Sequence, residues 1–225
     1  MPADSREKIL RRIREALTVP APARHLPGKG DTAAHAPREW LPPVPQTRSD
    51  LAGLFEKNSR DLKTDLRRCA DRAAASATLS VIAREEGWKS VATHDFSLGS
   101  AAVPALGLPV LRTDVAYETA ALEACDAGIS GCECLVAQTG GILVTSASAG
   151  GRALSVLPPH HVVIATESQL VGDLVDAFSL LRARYPEIPS FLSFITGPSR
   201  TGDIERILVL GAHGPKKLTV LLVAE

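Results

Sequence analysis

The sequence Cys134-Leu-Val-Ala-Gln-Thr-Gly-Gly-Ile-Leu-Val-Thr145 contains two short apolar runs that are separated by polar residues and glycines. Short runs rich in Leu, Ile and Val predict buried strands, and the intervening Gln138-Thr-Gly140 is typical of a tight turn. The segment therefore predicts strands at Cys134–Ala137 and Gly141–Thr145, joined as an antiparallel hairpin. A further apolar run at His161–Thr166 predicts the next strand.

Helical and strand patterns alternate on both sides of this hairpin. Predicted helices begin near Arg48 and cover Asp71–Glu86 and Ser168–Ala183. The other predicted strands are Leu62–Cys69, Ser90–Thr93, Leu108–Arg112, Phe191–Thr196 and Leu218–Val223. Helices that alternate with short apolar strands favour a parallel sheet with helices on both faces. The sequence thus predicts an α/β fold, with the hairpin inside a mainly parallel sheet flanked by helices.

The first 46 residues differ in composition from the rest of the chain. Within residues 1–18, Ile9, Leu10 and Ile13 recur at the spacing of one helix face, which predicts an amphipathic helix over Ser5–Leu17. Residues 19–46 contain seven prolines, which favour an extended linker. We therefore expect the α/β domain to occupy residues 47–225.

Composition and charge exclude several classes of protein. Lys plus Arg and Asp plus Glu number 25 each, so no net field would attract nucleic acid or an anionic membrane. The charged segment Asp4–Lys8 does not resemble a signal peptide, and the apolar runs are too short to span a bilayer as a helix. We therefore expect a cytoplasmic protein whose four cysteines are free thiols.

Two polar segments beside the predicted strands, Gly128–His161 and Gly197–Glu205, carry the candidate ligand groups. In Gln138–Ile142 the glycines and a threonine hydroxyl can form an anion-binding loop or an ordinary hairpin turn. In Thr145–His161, serines, glycines and Arg152 form a donor-rich loop, and Leu154–Leu157 can start a short helix above it. His160 suits an acid, a base or a carboxylate ligand, but equally a strand residue bonded to a backbone carbonyl.

The second segment, Gly197–Glu205, follows the predicted strand Phe191–Thr196 directly. In open α/β sheets ligands bind outside the carboxyl ends of strands, so we expect this segment to converge there with Gly128–His161. The alternative is a capped turn in which Arg200 pairs with a nearby carboxylate. The candidate ligand-binding residues are Thr139, Gly140, Gly141, Ser146, Ser148, Gly151, Arg152, His160, Ser199, Arg200, Thr201, Asp203 and Glu205.

The cysteine spacing does not indicate a metal site. Cys125, Cys132 and Cys134 fit neither paired zinc ligands nor a ferredoxin cluster motif. The sequence also contains no Walker A or G-x-G-x-x-G pattern. We therefore expect no metal and no cofactor in this chain.

Four motifs occur in one order over about Leu51–Val223. They are Asp126-Ala-Gly-Ile-Ser-Gly131, Val136-Ala-Gln-Thr-Gly-Gly141, Gly151-Arg-Ala-Leu-Ser-Val-Leu-Pro-Pro-His160 and Thr196-Gly-Pro-Ser-Arg-Thr-Gly-Asp-Ile-Glu205. In this order and spacing the chain resembles the LUD-domain family. The resemblance implies a fold like that of the sugar-phosphate isomerase and CoA-transferase superfamily. It also implies a role in oxidising L-lactate to pyruvate, together with partner proteins that carry iron-sulfur clusters.

The chain departs from the family pattern at the turn of the predicted hairpin. Many family members have an acidic residue before Thr-Gly and a Thr or Ser after it, where this chain has Gln138 and Gly141. If the acidic residue is catalytic in those members, this chain lacks it.

Three functional hypotheses remain open from the residues. In the first, the chain is a subunit of an L-lactate-oxidising complex and binds a small carboxylate or phosphate through these loops. In the second, it is an autonomous enzyme on a phosphorylated or CoA-linked substrate that uses Glu133, Asp203 or Glu205 as its carboxylate. In the third, it is a non-catalytic assembly or regulatory subunit that docks through Ser5–Leu17.

Overall fold

The computed structural model describes residues 3–18, 42–45, 47–201, 209–210 and 214–224. The chain divides into two compact units, Met1–Pro42 and Pro43–Glu225. The first unit contains helix α1, Ala3–Thr18, over the segment where the sequence predicts a helix. In α1 the side chains of Ile9, Leu10 and Ile13 are exposed. Most of the predicted linker, 19–46, lies outside the described residues.

The second unit contains helices and strands in alternation. Its helices are α2 Arg48–Asp61, α3 Arg72–Glu85, α4 Gly99–Ala102, α5 Thr119–Glu123 and α6 Leu174–Arg184. Its strands are β1 Asp65–Cys69, β2 Val91–Thr93, β3 Val110–Arg112, β4 Ala127–Ser130, β5 Cys134–Val136, β6 Gly141–Thr145, β7 His160–Thr166, β8 Leu170–Val171, β9 Leu192–Ile195, β10 Arg200–Thr201, β11 Val209–Leu210 and β12 Lys217–Val223. Among the described residues, no helix combines the length and the apolar character needed to cross a membrane.

Six strands form one parallel sheet in the order β1-β12-β7-β4-β2-β3. The long central strands β7 and β12 are buried almost throughout, and Val163 of β7 lies opposite Val220 of β12. Strands that are apolar on both faces are expected in a parallel sheet covered on both sides. The predicted α/β fold with a mainly parallel sheet is therefore confirmed.

The predicted hairpin also forms, but it belongs to a second sheet. Strands β5 and β6 are antiparallel, and with β8 and β9 they make a four-stranded sheet in the order β8-β5-β6-β9. The expectation that the hairpin lies within the parallel sheet is thus wrong. The two sheets bury apolar residues between them, because Leu135, Ile142 and Val144 share one core cluster with Val163 and Val220.

Helices cover the remaining faces. Phe55 of α2 is fully buried in the cluster between the sheets. Leu79 and Ile82 of α3 pack on the other face of the parallel sheet. Ala177 and Leu181 of α6 pack on the outer face of the second sheet.

Two predicted helical segments differ in the structure. The predicted helix Ser168–Ala183 begins late, at Leu174, because Leu170 pairs with Leu135 as part of β8 and the Asp173 side chain then caps α6. The segment Leu154–Leu157 forms a turn instead of a short helix: the Ala153 carbonyl accepts hydrogen bonds from the amides of Val156 and Leu157. Pro158 and Pro159 follow at once and prevent the turn from continuing as a helix.

Candidate functional site

The carboxyl ends of the parallel strands meet at one edge of the six-stranded sheet, and a cavity of about 410 Å³ lies there. Residues that follow β1, β2, β4 and β7 line it, as do residues of the loop after β6 and the end of α6. Its polar and charged lining includes Arg72, His94, Asp95, Ser97, Ser148, Thr166, Gln169 and Arg184. We call it the carboxyl-edge cavity. Ligands of open α/β sheets bind at this edge.

His94 is the buried titratable group of this cavity. It directly follows β2, where the Thr93 hydroxyl donates a 2.9 Å hydrogen bond to the Ile129 carbonyl and ties β2 to β4. The His94 side chain is nearly buried, and its ring stacks on Phe96 with centroids 4.9 Å apart. Burial lowers the pKa of His94, and hydrogen bonds with the backbone of Ser148 and Asp95 oppose that effect only in part. The imidazole is therefore neutral near pH 7.

One nitrogen of this imidazole has no partner for its hydrogen-bonding capacity within the described part of the chain. His94 Nε2 is buried and has no hydrogen-bond partner among the described residues. A buried polar atom without a partner costs about 1–3 kcal/mol, so a ligand that bonds to Nε2 recovers that free energy. A neutral imidazole nitrogen can accept a proton from a hydroxyl or donate one to a carbonyl, depending on its tautomer.

Two guanidinium groups stand at the rim of the cavity. Arg72 is the first residue of α3, which the Asp71 side chain caps by accepting a 2.7 Å hydrogen bond from the amide of Ala74. Arg184 is the last residue of α6, and its Nη1 donates to Oε2 of Glu133. A guanidinium has five N–H donors, so this pairing leaves donors of Arg184 for a ligand.

The carboxylate of Glu133 is buried and fully engaged. Its Oε1 accepts hydrogen bonds from the Thr145 hydroxyl at 2.6 Å and the Tyr185 hydroxyl at 2.7 Å, and its Oε2 accepts from Arg184. Burial alone raises the pKa of Glu133, but these three donors outweigh it and the pKa is lowered. The side chain thus fixes the position of Arg184. These three hydrogen bonds give Glu133 a structural role, and its predicted role as the carboxylate of an autonomous enzyme stays a prediction.

Hydrogen bonds of the Gln169 side chain connect the ends of β7 and β4 beside the cavity. The Gln169 side chain accepts a hydrogen bond from the Thr166 amide at 2.9 Å and donates to the Cys132 carbonyl at 2.7 Å. The residues after β7 are thereby joined to those after β4.

All four cysteines are buried and free, and burial raises the pKa of the Cys132 thiol well above its usual value. Among the described residues, no group of His, Cys, Asp and Glu has the geometry to hold a metal ion.

Of the residues predicted to bind a ligand, Ser148 lies in the carboxyl-edge cavity. Ser146, Gly151 and Arg152 belong to the same loop; the Gly151 amide donates to the Ser146 carbonyl within it, and the other two residues bond to the segment before β9. The Ser146 amide donates to the Phe191 carbonyl at 3.1 Å, and Arg152 Nη2 donates to the Ser190 carbonyl at 3.2 Å. Their predicted role in ligand binding stays a prediction.

The predicted loop Thr139–Gly141 packs against the end of α2. Asn58 Nδ2 donates to the carbonyls of Ala137 and Gln138, both at 2.9 Å. Gly140 has φ +64°, and a Cβ on it would lie 2.5 Å from the amide nitrogen of Ser59. This contact gives the glycine a packing role, while a ligand role for Thr139, Gly140 and Gly141 stays a prediction.

The remaining predicted residues lie at the other end of the parallel sheet or outside the described residues. His160 is the first residue of β7, and Arg200 lines the same cavity as His160. Ser199 is adjacent, with its amide bonded to the Pro215 carbonyl at 2.9 Å. Asp203 and Glu205 lie outside the described residues, as does the side chain of Thr201.

The two predicted loops therefore do not converge at the carboxyl edge. Strand β9 belongs to the second sheet and runs antiparallel to β6, so the loop after it leads to the amino edge of the parallel sheet. Ser148 and His160 consequently lie at opposite ends of that sheet. The expectation of one common site is wrong, although each group can still bind a ligand of its own.

Sequence reasoning missed His94, Arg72 and Arg184. A signal for His94 was present, since Thr93-His-Asp95 directly follows a predicted strand, the same position that drew attention to Gly197–Glu205. Arg72 begins a helix after another strand in the same way. Arg184 carries no comparable signal, because only the pairing with Glu133, 51 positions away in sequence, brings it to the cavity.

The fold and its edge cavity define an α/β protein with an open parallel sheet. Within that class, the LUD-domain profile matches residues 52–223, and the chain therefore belongs to the LUD-domain family. A solved DUF162-family protein from Deinococcus radiodurans has a TM-score of 0.59 to this chain at 22% identity, covering 80% of this chain and 99% of that one. This likeness confirms the fold.

Several relatives are described as Lactate utilization protein C. The one from Shouchella clausii is 34% identical, covering 73% of this chain and 70% of that protein. The one from Deinococcus radiodurans is 30% identical, covering 80% of this chain and 83% of that protein. The one from Bacillus subtilis is 33% identical over 63% of this chain, and the match spans only 58% of that longer protein.

Proposed function

We propose that this protein is a component of an L-lactate utilization system in the cytoplasm and binds a small carboxylate in the carboxyl-edge cavity. Membership of the LUD-domain family and the similarity to proteins described as Lactate utilization protein C support the pathway. The observation that carries the site is the buried, unpartnered Nε2 of His94 in a cavity that Arg72 and Arg184 also line.

The chemistry of lactate suits this set of groups. Its carboxylate matches a guanidinium, which can donate two parallel hydrogen bonds to it. Its 2-hydroxyl can donate a hydrogen bond to a neutral imidazole nitrogen. The carbonyl at the same position of pyruvate can accept a hydrogen bond from that nitrogen in the other tautomer. His94 would then distinguish a hydroxy acid or keto acid from a simple carboxylate such as acetate.

Oxidation of L-lactate to pyruvate releases two electrons and two protons, which need an acceptor. In this proposal, iron-sulfur partner proteins take the electrons and this chain supplies the ligand site. His94 Nε2 accepts the hydrogen bond of the 2-hydroxyl and so orients it. Breaking the O–H and C2–H bonds, which releases two protons to solvent and two electrons to the partner proteins, requires those partners.

Calorimetric titration of the full chain with L-lactate, pyruvate and acetate tests the site. We expect the first two to bind more tightly than acetate, and Arg72→Ala to weaken both by about tenfold, the loss of one charge-assisted contact. Arg182→Ala is the matched control and should leave the affinity unchanged, since this arginine of α6 is also exposed but does not line the cavity. Absence of binding to the wild type, or equal binding after Arg72→Ala and His94→Gln in variants with unchanged thermal stability, would reject the site.

The pathway and the partners need a separate experiment. We expect deletion of the gene to abolish growth on L-lactate, and the intact gene to restore it. Affinity purification of the full chain from cells grown on L-lactate should recover iron-sulfur proteins, recognised by their visible absorption. Normal growth on L-lactate after deletion would reject the pathway without bearing on the calorimetric result.

A further inference from the structure

A second cavity, of about 350 Å³, lies at the opposite end of the parallel sheet, where β1, β7 and β12 begin. We call it the amino-edge cavity. Its lining includes five cationic side chains and two carboxylates: Lys63, Arg67, Arg200, Lys216, Lys217, Asp65 and Glu86. Its volume falls in the range of small-molecule sites, about 300–1,000 Å³.

The two carboxylates are already paired with two of the cations. Lys217 Nζ lies 2.5 and 2.7 Å from the two carboxylate oxygens of Glu86. Arg67 Nε lies 3.0 Å from Oδ2 of Asp65. Among the described lining residues, these pairs leave an excess of three positive charges.

The three excess cations are Lys63, Arg200 and Lys216. Within the described part of the chain, none of these three side chains forms an ion pair. Three like charges at one concave surface repel one another and attract an anion. A ligand with two negative charges would neutralise most of this excess.

The inner wall of the cavity combines a buried histidine with apolar side chains. His160 is 5% exposed, and its Nε2 lies 2.8 Å from the Thr219 hydroxyl. Its Nδ1 is buried and has no partner among the described residues. Ile82 and Leu218, both nearly buried, line the cavity beside it. Cations at the rim and an apolar wall fit a ligand with an anionic head and an apolar body.

We propose that the amino-edge cavity is a second ligand site, separate from the carboxyl-edge cavity, that binds a small organic dianion with an apolar body. Lys63, Arg200 and Lys216 hold the dianionic group, and the wall of Ile82, Leu218 and the His160 ring accepts the apolar part. Phosphate monoesters and dicarboxylates share this chemistry. The site gives a ligand role to His160 and Arg200 that does not require them to meet Ser148.

Trp88 provides a direct readout of binding. Its ring meets that of His160 edge-on, with centroids 5.2 Å apart. The chain has two tryptophans, so Trp40→Phe makes the fluorescence report on Trp88 alone. Titration of this variant of the full chain with phenyl phosphate, inorganic phosphate and phenylsuccinate should change the Trp88 emission. We expect phenyl phosphate to bind more tightly than inorganic phosphate, because only the ester has an apolar body.

The double variant Lys63→Ala/Arg200→Ala tests the cations. Both side chains are exposed, so the fold should be retained, and affinity for the dianions should fall by about tenfold or more. Arg182→Ala, which removes an exposed cation from α6 outside this cavity, is the control and should leave affinity unchanged. Arg72→Ala should likewise leave it unchanged, which separates this site from the lactate site.

The affinities for phenyl phosphate and phenylsuccinate show whether the site prefers a phosphate monoester or a dicarboxylate. Absence of any emission change with all three probes would overturn the proposal. Equal affinity in the wild type and in Lys63→Ala/Arg200→Ala would also overturn it, as would equal affinity for phenyl phosphate and inorganic phosphate.

Discussion

Gly150 lies directly against the ring of His94: a Cβ at position 150 would be 2.5 Å from Cβ and 2.6 Å from Cγ of the histidine. Gly150 also has φ +60°, a backbone conformation that other residues adopt only at a cost of about 1–2 kcal/mol. The glycine therefore permits both the tight turn after Ser148 and the close approach of the loop to the imidazole. The position of His94 in the carboxyl-edge cavity depends on this contact.

Gly150→Ala should consequently lower the free energy of unfolding by about 2–4 kcal/mol, the sum of backbone strain and overpacking against His94. Gly107→Ala is the matched control, because Gly107 has φ +65° but no neighbouring atom within 4 Å of an added Cβ. The control should lose only about 1–2 kcal/mol. Urea denaturation of both variants measures the difference, and equal losses would show that position 150 does not press on His94.

The buried carboxylate of Glu133 gives a second prediction. Glu133→Gln removes the charge that Arg184, Thr145 and Tyr185 stabilise, and it should lower the free energy of unfolding by about 2 kcal/mol near neutral pH. Glu123→Gln, at an exposed glutamate of α5, should change it by less than about 0.5 kcal/mol.

The effect of Glu133→Gln should also depend on pH. Because the folded pKa of Glu133 is lowered, its contribution is fully present above the unfolded value of about 4.3 and is lost as pH falls through the folded pKa. The variant and the wild type should therefore converge in acid. Urea midpoints measured across this range check it, and a difference that grows on acidification would contradict the lowered pKa.

The strands that the sequence revealed are those with strong apolar runs, such as β6, β7 and β12. Strand β4 escaped prediction because Ala127-Gly-Ile-Ser130 is short and half of it consists of Ala and Gly, which have weak strand propensity. Its place in the sheet comes from tertiary contacts: a Cβ on Gly128 would lie 2.4 Å from the Leu154 carbonyl oxygen. Such a packing requirement leaves no periodic pattern in the sequence.

The assignment of strands to two sheets was equally beyond the sequence. The apolar runs of β6 and β9 look like those of β7 and β12 in the sequence, although β9 is only half-buried in the structure. Only the pairing of Ile142 with Ile195 sends the loop after β9 to the amino edge instead of the carboxyl edge. The predicted site was therefore divided, and His94 was left out although it follows a strand that the sequence did predict.

The lowered pKa values of the buried neighbours His160 and His161 predict that the free energy of unfolding decreases in mild acid. Burial lowers the pKa of His160 to about 4 and that of His161 to about 3, whereas an unfolded histidine titrates near 6.5. Below about pH 6.5 the unfolded chain thus binds protons that the folded chain does not. Stability should fall as pH decreases, by at most about 1.4 kcal/mol per pH unit for each histidine.

The substitution His161→Gln isolates one of the two contributions. Glutamine can keep a hydrogen bond to the Ser130 hydroxyl, which lies 2.9 Å from His161 Nε2, but it does not titrate. The variant should lose less stability than the wild type between about pH 7 and about pH 5. His25→Gln, in the proline-rich segment, is the control and should follow the wild type. Identical pH slopes for His161→Gln and the wild type would show that His161 is not held neutral by the fold.

The contact between Asn58 and the hairpin turn allows a last test, of the role of Gln138-Thr-Gly140. Asn58 donates from one nitrogen to two backbone carbonyls, those of Ala137 and Gln138. Asn58→Ala should lower the free energy of unfolding by about 1–2 kcal/mol, because two partly buried hydrogen bonds from Asn58 are lost. Asn58→Asp should lower the free energy of unfolding further, since it places a carboxylate against two carbonyl oxygens.

If the turn only packs on α2, neither variant with a retained fold will change the affinity for L-lactate or phenyl phosphate. A selective loss of affinity in Asn58→Ala would instead return Thr139 and Gly140 to the ligand site that the sequence predicts.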